Sequence, residues 1–146
     1  MRTSLIRGSA TPADPISEDL PIDSRSLAAA AASLAHDKKG EDIHVYDVGD
    51  QIKVADYFVV VTGTSRPHVR ALYDELHVRL KAAGERHARA EGADLGWWVL
   101  LDYGDVVIHL LQPEAREFYG LDTLYEDCEK VDWTTVELPA IPERVL

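Results

Sequence analysis

Hydrophobic residues recur along this chain at helical and at strand spacing in turn. Residues 27–39 carry an apolar stripe with gaps of three and four residues, which predicts a helix capped by Ser24 or Ser26. The segment 66–83 repeats this spacing directly after Ser65, a good capping residue, and predicts a second helix. Both segments are therefore expected to pack one apolar face against a core.

Shorter segments between these helices have the pattern of strands. Residues 42–48, "DIHVYDV", alternate imperfectly, and residues 55–63, "ADYFVVVTG", form an apolar run that predicts a strand covered on both faces. A short polar strand is predicted within 86–92, and a last helix opens at Pro113. The apolar face predicted for that helix consists of Ala115, Phe118, Leu121, Leu124, Tyr125 and Cys128.

The segment 97–111, "WWVLLDYGDVVIHLL", predicts a β-hairpin. Tyr103 and Gly104 are interpreted as a two-residue turn, which would place Asp102 directly opposite Asp105. Like charges that face each other across a strand pair are unfavourable. Facing carboxylates at this tip would therefore indicate a positively charged partner outside the hairpin.

The order helix, strand, strand, helix, strand, hairpin, helix predicts an α/β fold. We expect a single domain over residues 24–130, with a mixed β-sheet and helices on both faces. Residues 1–23, rich in Pro, Ser and Asp, are interpreted as a flexible leader or a remnant of the expression vector, and residues 131–146 as a loosely attached tail. No apolar run approaches the roughly 20 residues that span a bilayer.

Two of the chain's three tryptophans stand side by side at the start of the hairpin. Because side chains alternate along a strand, Trp97 and Trp98 are expected to point to opposite faces. Each ring offers about 150–250 Å² of surface, on the order of 4–6 kcal/mol when buried at ~25 cal/mol/Å². We interpret both as core or half-buried; the alternative is that one of them forms an exposed binding ridge with the hairpin tip.

The distribution of charge narrows the range of partners. The chain has 15 basic and 26 acidic residues, a net charge of −11, which disfavours nucleic acid without a basic patch. Residues 94–131, which contain the hairpin, hold nine acids and two bases and suit a basic protein surface. An RNA-binding face remains an alternative, although its bases equally suit a solvated helix surface: Arg66, Arg70, Arg79, Lys81, Arg86 and Arg89.

Residues that could carry catalytic chemistry are few. Asp102 and Asp105 lie across a turn with no third carboxylate beside them, so they do not predict a metal-dependent transferase. The histidines are scattered and Cys128 is the only cysteine, which predicts no metal site, no cofactor and no disulfide. His109 is interpreted as a half-buried residue against Trp98, and Cys128 as part of the core. The pattern favours a binding protein over an enzyme.

One loop keeps a different function open. Residues 59–65, "VVVTGTS", connect a strand to a capped helix, a setting that can hold a phosphate on backbone N–H groups. Neither a G-x-G-x-x-G motif nor a lysine-containing P-loop is present, so a plain cap by Ser65 is the simpler interpretation. The alternative function is a nucleotide-binding protein or residual nucleotidyltransferase that uses the loop from Thr62 to Ser65.

Four longer segments together resemble the ribosomal silencing factor family, also called RsfS or Iojap-like. In order they are "EDIHVYDV", "ADYFVVVTGTSRPHVRAL", "WVLLDYGDVVIHLL" and "AREFYGLDTLY", and the resemblance covers about residues 26–126. Tyr125 stands where the family usually has tryptophan, and Asp122 where it usually has glutamate. Both departures are conservative in size or charge.

The resemblance implies a nucleotidyltransferase-like fold without catalytic carboxylates, and therefore no enzyme activity. Members of the family bind ribosomal protein number fourteen of the large subunit, obstruct joining of the small subunit and repress translation when nutrients are scarce. The resemblance implies a cytoplasmic repressor that has no cofactor, does not contact a membrane and does not bind a specific nucleic-acid sequence. The free protein could instead form a homodimer through the same partner-binding surface. The partner contact implied by the matching positions comprises Trp98, Leu101, Asp102, Tyr103, Gly104, Asp105, Arg116 and Tyr119.

Overall fold

Helices lie on both faces of a six-stranded mixed β-sheet, which confirms the predicted α/β architecture. The structure is a computed structural model that describes residues 22–86 and 89–143. Most of the predicted leader, part of the predicted polar strand (His87 and Ala88) and the last three residues lie outside the described residues. None of the helices within the described ranges is long and apolar enough to cross a bilayer.

The elements follow the predicted order. They are α1 (Ser24–Asp37), β1 (Glu41–Asp47), β2 (Tyr57–Thr62), α2 (Arg66–Ala82), β3 (Arg89–Glu91), β4 (Trp98–Asp102), β5 (Val106–Leu111), α3 (Pro113–Tyr119), α4 (Leu121–Leu124) and β6 (Glu129–Lys130). The strands lie side by side in the order β3-β4-β5-β2-β1-β6. Strands β2 and β5 are parallel, and the other neighbouring pairs are antiparallel.

The caps of the two long helices show which local predictions are correct. At the start of α2 the Ser65 hydroxyl accepts a hydrogen bond from the His68 N–H at 3.2 Å, which confirms the predicted cap. The predicted cap of α1 is wrong by one residue or more. Its cap is Asp23, whose carboxylate accepts from the Ser26 N–H at 2.9 Å. Aspartate and serine cap equally well, so local pattern does not distinguish Asp23 from the nearby serines.

The sheet separates two apolar cores. The larger one lies under α1 and α2, and the smaller one lies under α3 and α4. Strand β2 contributes side chains to both, so residues 58–62 are buried throughout, as the continuous apolar run predicted. The side chains that β4 and β5 turn toward α1 and α2 are also buried: Val99, Leu101, Val106, Ile108 and Leu110.

The single C-terminal helix predicted after Pro113 is two short helices. Gly120 separates α3 from α4 in the left-handed conformation, with φ of +60°. This break redirects the chain, so the helical periodicity does not continue through it. Ala115, Leu121 and Tyr125 are buried as predicted, Cys128 is partly buried, but Phe118 and Leu124 are exposed, contrary to the prediction.

The described part of the segment after β6 contacts the core at several points. Strand β6 pairs with β1, and the Val131 N–H donates to the Val45 carbonyl at 2.8 Å. Further on, the Arg79 guanidinium donates to the Pro142 carbonyl at 2.6 Å. The side chains that anchor this segment against the larger core are Val131, Trp133, Val136 and Ile141. The described part of this segment therefore contacts both α1 and α2.

Candidate functional site

The β4–β5 hairpin forms as predicted, but its turn lies one residue later in the chain. Asp102 pairs with Val107, and Tyr103 closes the turn, so the two turn residues are Gly104 and Asp105. Gly104 has φ of +89°, which suits the first central residue of a type II′ hairpin turn. The prediction that Asp102 faces Asp105 is therefore wrong. Residues of β4 therefore face residues two positions later in β5 than predicted, and a shift by two leaves each side chain on the same face of the sheet.

The two tip carboxylates have different surroundings. Asp102 accepts a hydrogen bond from the Gly104 N–H at 2.8 Å, and the Arg89 guanidinium lies 3.8 Å from its other oxygen. The side chain of Asp105 is exposed, whereas its carbonyl accepts from the Asp56 and Tyr57 N–H groups at 2.7 and 3.1 Å. Asp102 thus stabilises the turn itself, and Asp105 presents its charge to solvent.

The face of the sheet that carries α3 is incompletely covered near β3 and β4. Helix α3 reaches this region only through its last residues, Phe118 and Tyr119, which are 77% and 44% exposed. Three strand side chains on the same face of the sheet, Trp98, Leu100 and Val107, are only partly buried. We call these five residues the open face. Its rim on the β3 side and at the hairpin tip carries carboxylates from Glu91, Asp102 and Asp105.

Aromatic contacts organise the open face. The ring centroids of Trp98 and Tyr119 are 4.4 Å apart, and Phe118 meets Tyr119 edge to face at 4.9 Å. Below them, the Trp98 indole N–H donates to Nδ1 of His109 at 3.1 Å. This contact confirms the predicted packing of His109 against Trp98. The neighbouring Trp97 precedes β4 and is also partly exposed.

His109 is more deeply buried than predicted, with 4% exposure. Burial lowers the pKa of its imidazole from 6.5 to about 4. The folded protein therefore keeps this ring neutral at neutral pH. Because Nδ1 accepts the indole hydrogen bond, the ring proton resides on Nε2.

This depressed pKa predicts a pH-dependent stability. The unfolded chain takes up a proton on His109 below pH 6.5, whereas the folded chain does so only near pH 4, so acid favours unfolding within this window. We expect a loss on the order of 3 kcal/mol between the two limits. Urea denaturation at several pH values, compared with a His109→Leu variant that lacks this proton site, measures it. Equal slopes for both proteins would contradict the expectation.

Arg116, expected from the family resemblance to contact the partner, is instead 8% exposed. Its guanidinium donates to both oxygens of Asp122, at 2.7 and 3.0 Å, and to the Thr62 hydroxyl at 2.8 Å. The Tyr46 hydroxyl donates to Asp122 at 2.6 Å, and His44 Nδ1 lies 3.1 Å from the same oxygen. We call these five residues the Arg116 cluster; it joins α3 and α4 to β1 and β2.

Two opposing effects act on the Asp122 carboxyl. Burial by itself raises its pKa, but hydrogen bonds from Arg116 and Tyr46 and the positive guanidinium hold the pKa well below its usual range. The carboxylate is therefore charged at neutral pH. Its partner Arg116 is neutralised within the molecule.

The eight predicted partner residues fall into separate groups. Trp98 and Tyr119 meet on the open face, and the hairpin tip lies at the other end of β4, about 13 Å away along the strand. Leu101 is fully buried on the opposite face, Tyr103 packs against that same core, and Arg116 is bonded internally. In this conformation the side chains offered to a partner are those of Trp98, Asp102, Asp105 and Tyr119, with the backbone of Gly104.

Sequence reasoning missed three members of the open face. Leu100 and Val107 were not predicted as partner contacts, and Phe118 was assigned to the core. The signal that could have corrected Phe118 is Gly120, because glycine ends helices and interrupts their periodicity. The incomplete cover over β4 follows from the shortness of α3.

The loop from Thr62 to Ser65 has little capacity for a phosphate. The Thr64 N–H donates to His68 Nδ1 at 2.9 Å, and the Gly63 N–H donates to the Leu111 carbonyl at 2.9 Å. These donors are therefore already used within the fold, which favours the helix cap over the nucleotide-binding alternative. Within residues 22–86 and 89–143, no cluster of three or more histidine, cysteine, aspartate or glutamate side chains could hold a metal ion.

Some of the bases that were proposed for RNA contact are paired with acids of the same molecule. Arg79 pairs with Glu75 at 2.8 Å, and Arg89 lies against the carboxylates of Glu91 and Asp102. Two of the six bases proposed for RNA contact are thus neutralised by acids of the same molecule. This arrangement favours the interpretation of a solvated helix surface.

Comparisons with known proteins match this chain to members of one family. The family model described as "Ribosomal silencing factor during starvation" matches residues 21–144. The ribosomal silencing factor RsfS of Bacillus subtilis is 34% identical over 111 residues, which cover 76% of this chain and 94% of that protein. The chloroplastic protein Iojap of Arabidopsis thaliana is 33% identical over 75% of this chain and 47% of its own length.

A mitochondrial relative and a solved structure extend these matches. The Mus musculus protein named "Mitochondrial assembly of ribosomal large subunit protein 1" is 34% identical over 78% of this chain and 49% of its own length. A crystal structure from Chromobacterium violaceum superposes with a TM-score of 0.70 at 33% identity, covering 72% of this chain and 88% of that one. From these matches, the chain belongs to the ribosomal silencing factor family, which includes RsfS and Iojap.

Proposed function

We propose that this protein binds the large ribosomal subunit and sterically blocks its association with the small subunit, and so represses translation when nutrients are limiting. The proposed partner is ribosomal protein number fourteen of the large subunit, and the proposed place of action is the cytoplasm. Family membership supports the ribosomal role, since relatives are named silencing factors and a large-subunit assembly protein. No cofactor and no covalent step enter this proposal.

The observation that carries the proposal is the acid-rimmed open face. Its centre has exposed or half-buried rings from Trp98, Phe118 and Tyr119, and such rings supply much of the binding free energy in protein interfaces. The carboxylates at its rim and the acidic stretch of residues 94–131 favour a basic partner surface and repel nucleic acid. The arrangement is that of a protein-binding surface with an apolar centre and a charged rim.

Under this mechanism affinity alone sets activity. A bound protein occupies space on the large subunit that the incoming small subunit needs, and nothing is chemically altered. A loss of 1.4 kcal/mol in binding free energy then gives tenfold weaker binding, so tenfold more protein is needed for the same repression. Any substitution on the open face should change binding and repression together.

The direct test combines purified large and small subunits with increasing amounts of the protein. We expect the protein to cosediment with large subunits, and the fraction of joined particles to fall as that occupancy rises. Normal joining at saturating occupancy would contradict the blocking mechanism, and failure to cosediment would contradict the proposal as a whole.

The competing occupant of the open face is a second copy of the chain. Light scattering of the free protein, alone and with the isolated ribosomal partner, distinguishes the two. We propose that any homodimer dissociates as the partner is added, because both would use the same rings. A dimer that persists in the complex would place self-association on a different surface.

A further inference from the structure

We propose that His109 is a positioning residue for partner binding: its Nδ1 holds the Trp98 indole in the orientation that the open face presents to the ribosomal partner. This inference rests on the proposed function, because it concerns how the same surface is prepared for binding. His109 itself is buried and would not touch the partner.

The contacts of Trp98 show how its ring is held. The ring centroids of Trp98 and Tyr119 are 4.4 Å apart, and the indole N–H donates to His109 Nδ1 at 3.1 Å. The imidazole is in turn fixed against Phe58, with ring centroids 4.7 Å apart. A hydrogen bond at one edge and a ring contact at one face restrict rotation of the indole about its side-chain bonds.

The second nitrogen of His109 indicates what the residue is for. Nε2 is buried and has no hydrogen-bond partner among the described residues. A buried N–H without an acceptor is unfavourable, and an apolar side chain in this apolar surrounding would avoid that cost. What an apolar residue would not provide is an acceptor for the Trp98 N–H. The geometry therefore indicates that the important atom of this histidine is Nδ1, which accepts the hydrogen bond from the Trp98 indole.

A ring fixed in advance improves binding without adding a contact. A freely rotating tryptophan must be immobilised when the partner binds, and that ordering opposes association. With His109 and Tyr119 in place the ordering has already occurred in folding. The expected result of losing the acceptor is weaker partner binding in a protein that remains folded.

The test uses two substitutions of nearly equal size and shape. His109→Asn keeps an acceptor oxygen on the atom corresponding to Nδ1, whereas His109→Leu has a methyl group there. We expect the asparagine variant to bind large subunits within about threefold of the wild type, and the leucine variant to bind about tenfold more weakly, as for the loss of one ordering contact. We expect the leucine variant to be at least as stable, because its side chain is apolar.

A spectroscopic measurement follows the hydrogen bond itself. The indole N–H resonance of Trp98, assigned with a Trp98→Phe variant, should move upfield in His109→Leu and stay near its original position in His109→Asn. Resonances of Trp97 and Trp133 serve as internal controls.

The outcomes separate the two proposals. If the wild type binds and both variants bind equally well, the positioning role is overturned and the proposed function stands. If His109→Leu binds weakly but is also less stable than His109→Asn, loss of folding explains the effect and the positioning role is again overturned. If the wild type itself fails to bind, the proposed function is overturned together with this inference.

Discussion

Reversing both charges of the hairpin tip, Asp102→Lys with Asp105→Lys, is expected to weaken binding to large ribosomal subunits at least about 100-fold. That factor corresponds to about 2.7 kcal/mol, within the range for charge pairs that face an oppositely charged protein surface. The physical reason is that two lysines would meet the basic partner surface with like charge. Cosedimentation or light-scattering titration with purified large subunits measures the change.

The experiment also needs a single variant, because one of the two aspartates stabilises the turn. Asp102 accepts a hydrogen bond from the Gly104 N–H at 2.8 Å, so its replacement also disturbs the turn. Asp105→Lys alone leaves that hydrogen bond intact, because the Asp105 side chain is exposed. We expect the single variant to bind about tenfold more weakly at unchanged thermal stability. Unchanged binding by the double variant would contradict the assignment of this surface.

A matched control removes the effect of net charge. Glu126→Lys with Asp127→Lys changes the total charge by the same amount, at exposed positions near β6, the opposite edge of the sheet. We expect this control to bind within about threefold of the wild type at physiological salt, where distant surface charges are screened. Equal losses in both double variants would mean that overall charge, rather than the tip, determines binding.

Replacing Arg116 with methionine is expected to lower the free energy of unfolding by about 2–3 kcal/mol. Removing one member of a buried ion pair usually costs about 3–5 kcal/mol, and we reduce this figure because Asp122 is partly exposed to solvent. The loss leaves Asp122 without its main cation and the Thr62 hydroxyl without its donor. Urea denaturation measures it, with Arg66→Met as a control at an exposed arginine.

A double variant distinguishes positioning from direct contact. In Arg116→Met with Asp122→Leu no unpaired charge remains, so part of the stability should return. If the Arg116 cluster serves to position α3 and the Tyr119 ring, binding to large subunits should recover with stability. Recovered stability without recovered binding would mean that Arg116 contacts the partner directly, as the family resemblance first suggested.

Features that depend on local sequence could be predicted from it. The Ser65 cap, the doubly covered β2 and the order of helices and strands follow from residues close together in the chain. The hairpin turn was misplaced because both Tyr103–Gly104 and Gly104–Asp105 give a two-residue turn with glycine, and local pattern does not distinguish them. A wrong turn then gave wrong facing pairs while leaving the faces correct.

Features that depend on distant contacts could not be predicted in the same way. Arg116 is buried because it meets Thr62, 54 residues earlier, and Asp122 beyond the break at Gly120. Phe118 is exposed because α3 ends before it can cover β4. The comparisons confirm the family, but the family resemblance did not separate residues that are exposed to a partner from those that are buried.

The attachment of the hairpin tip to β2 has a consequence for the speed of partner recognition. The main chain at Asp105 accepts hydrogen bonds from two successive amides, Asp56 and Tyr57, at the start of the central strand β2. A hairpin tip that is anchored in this way moves with the central strand, so it does not have to fold when the protein meets its partner. Association should then be governed by diffusion and long-range attraction, with a rate that falls as ionic strength rises and changes little with chain flexibility.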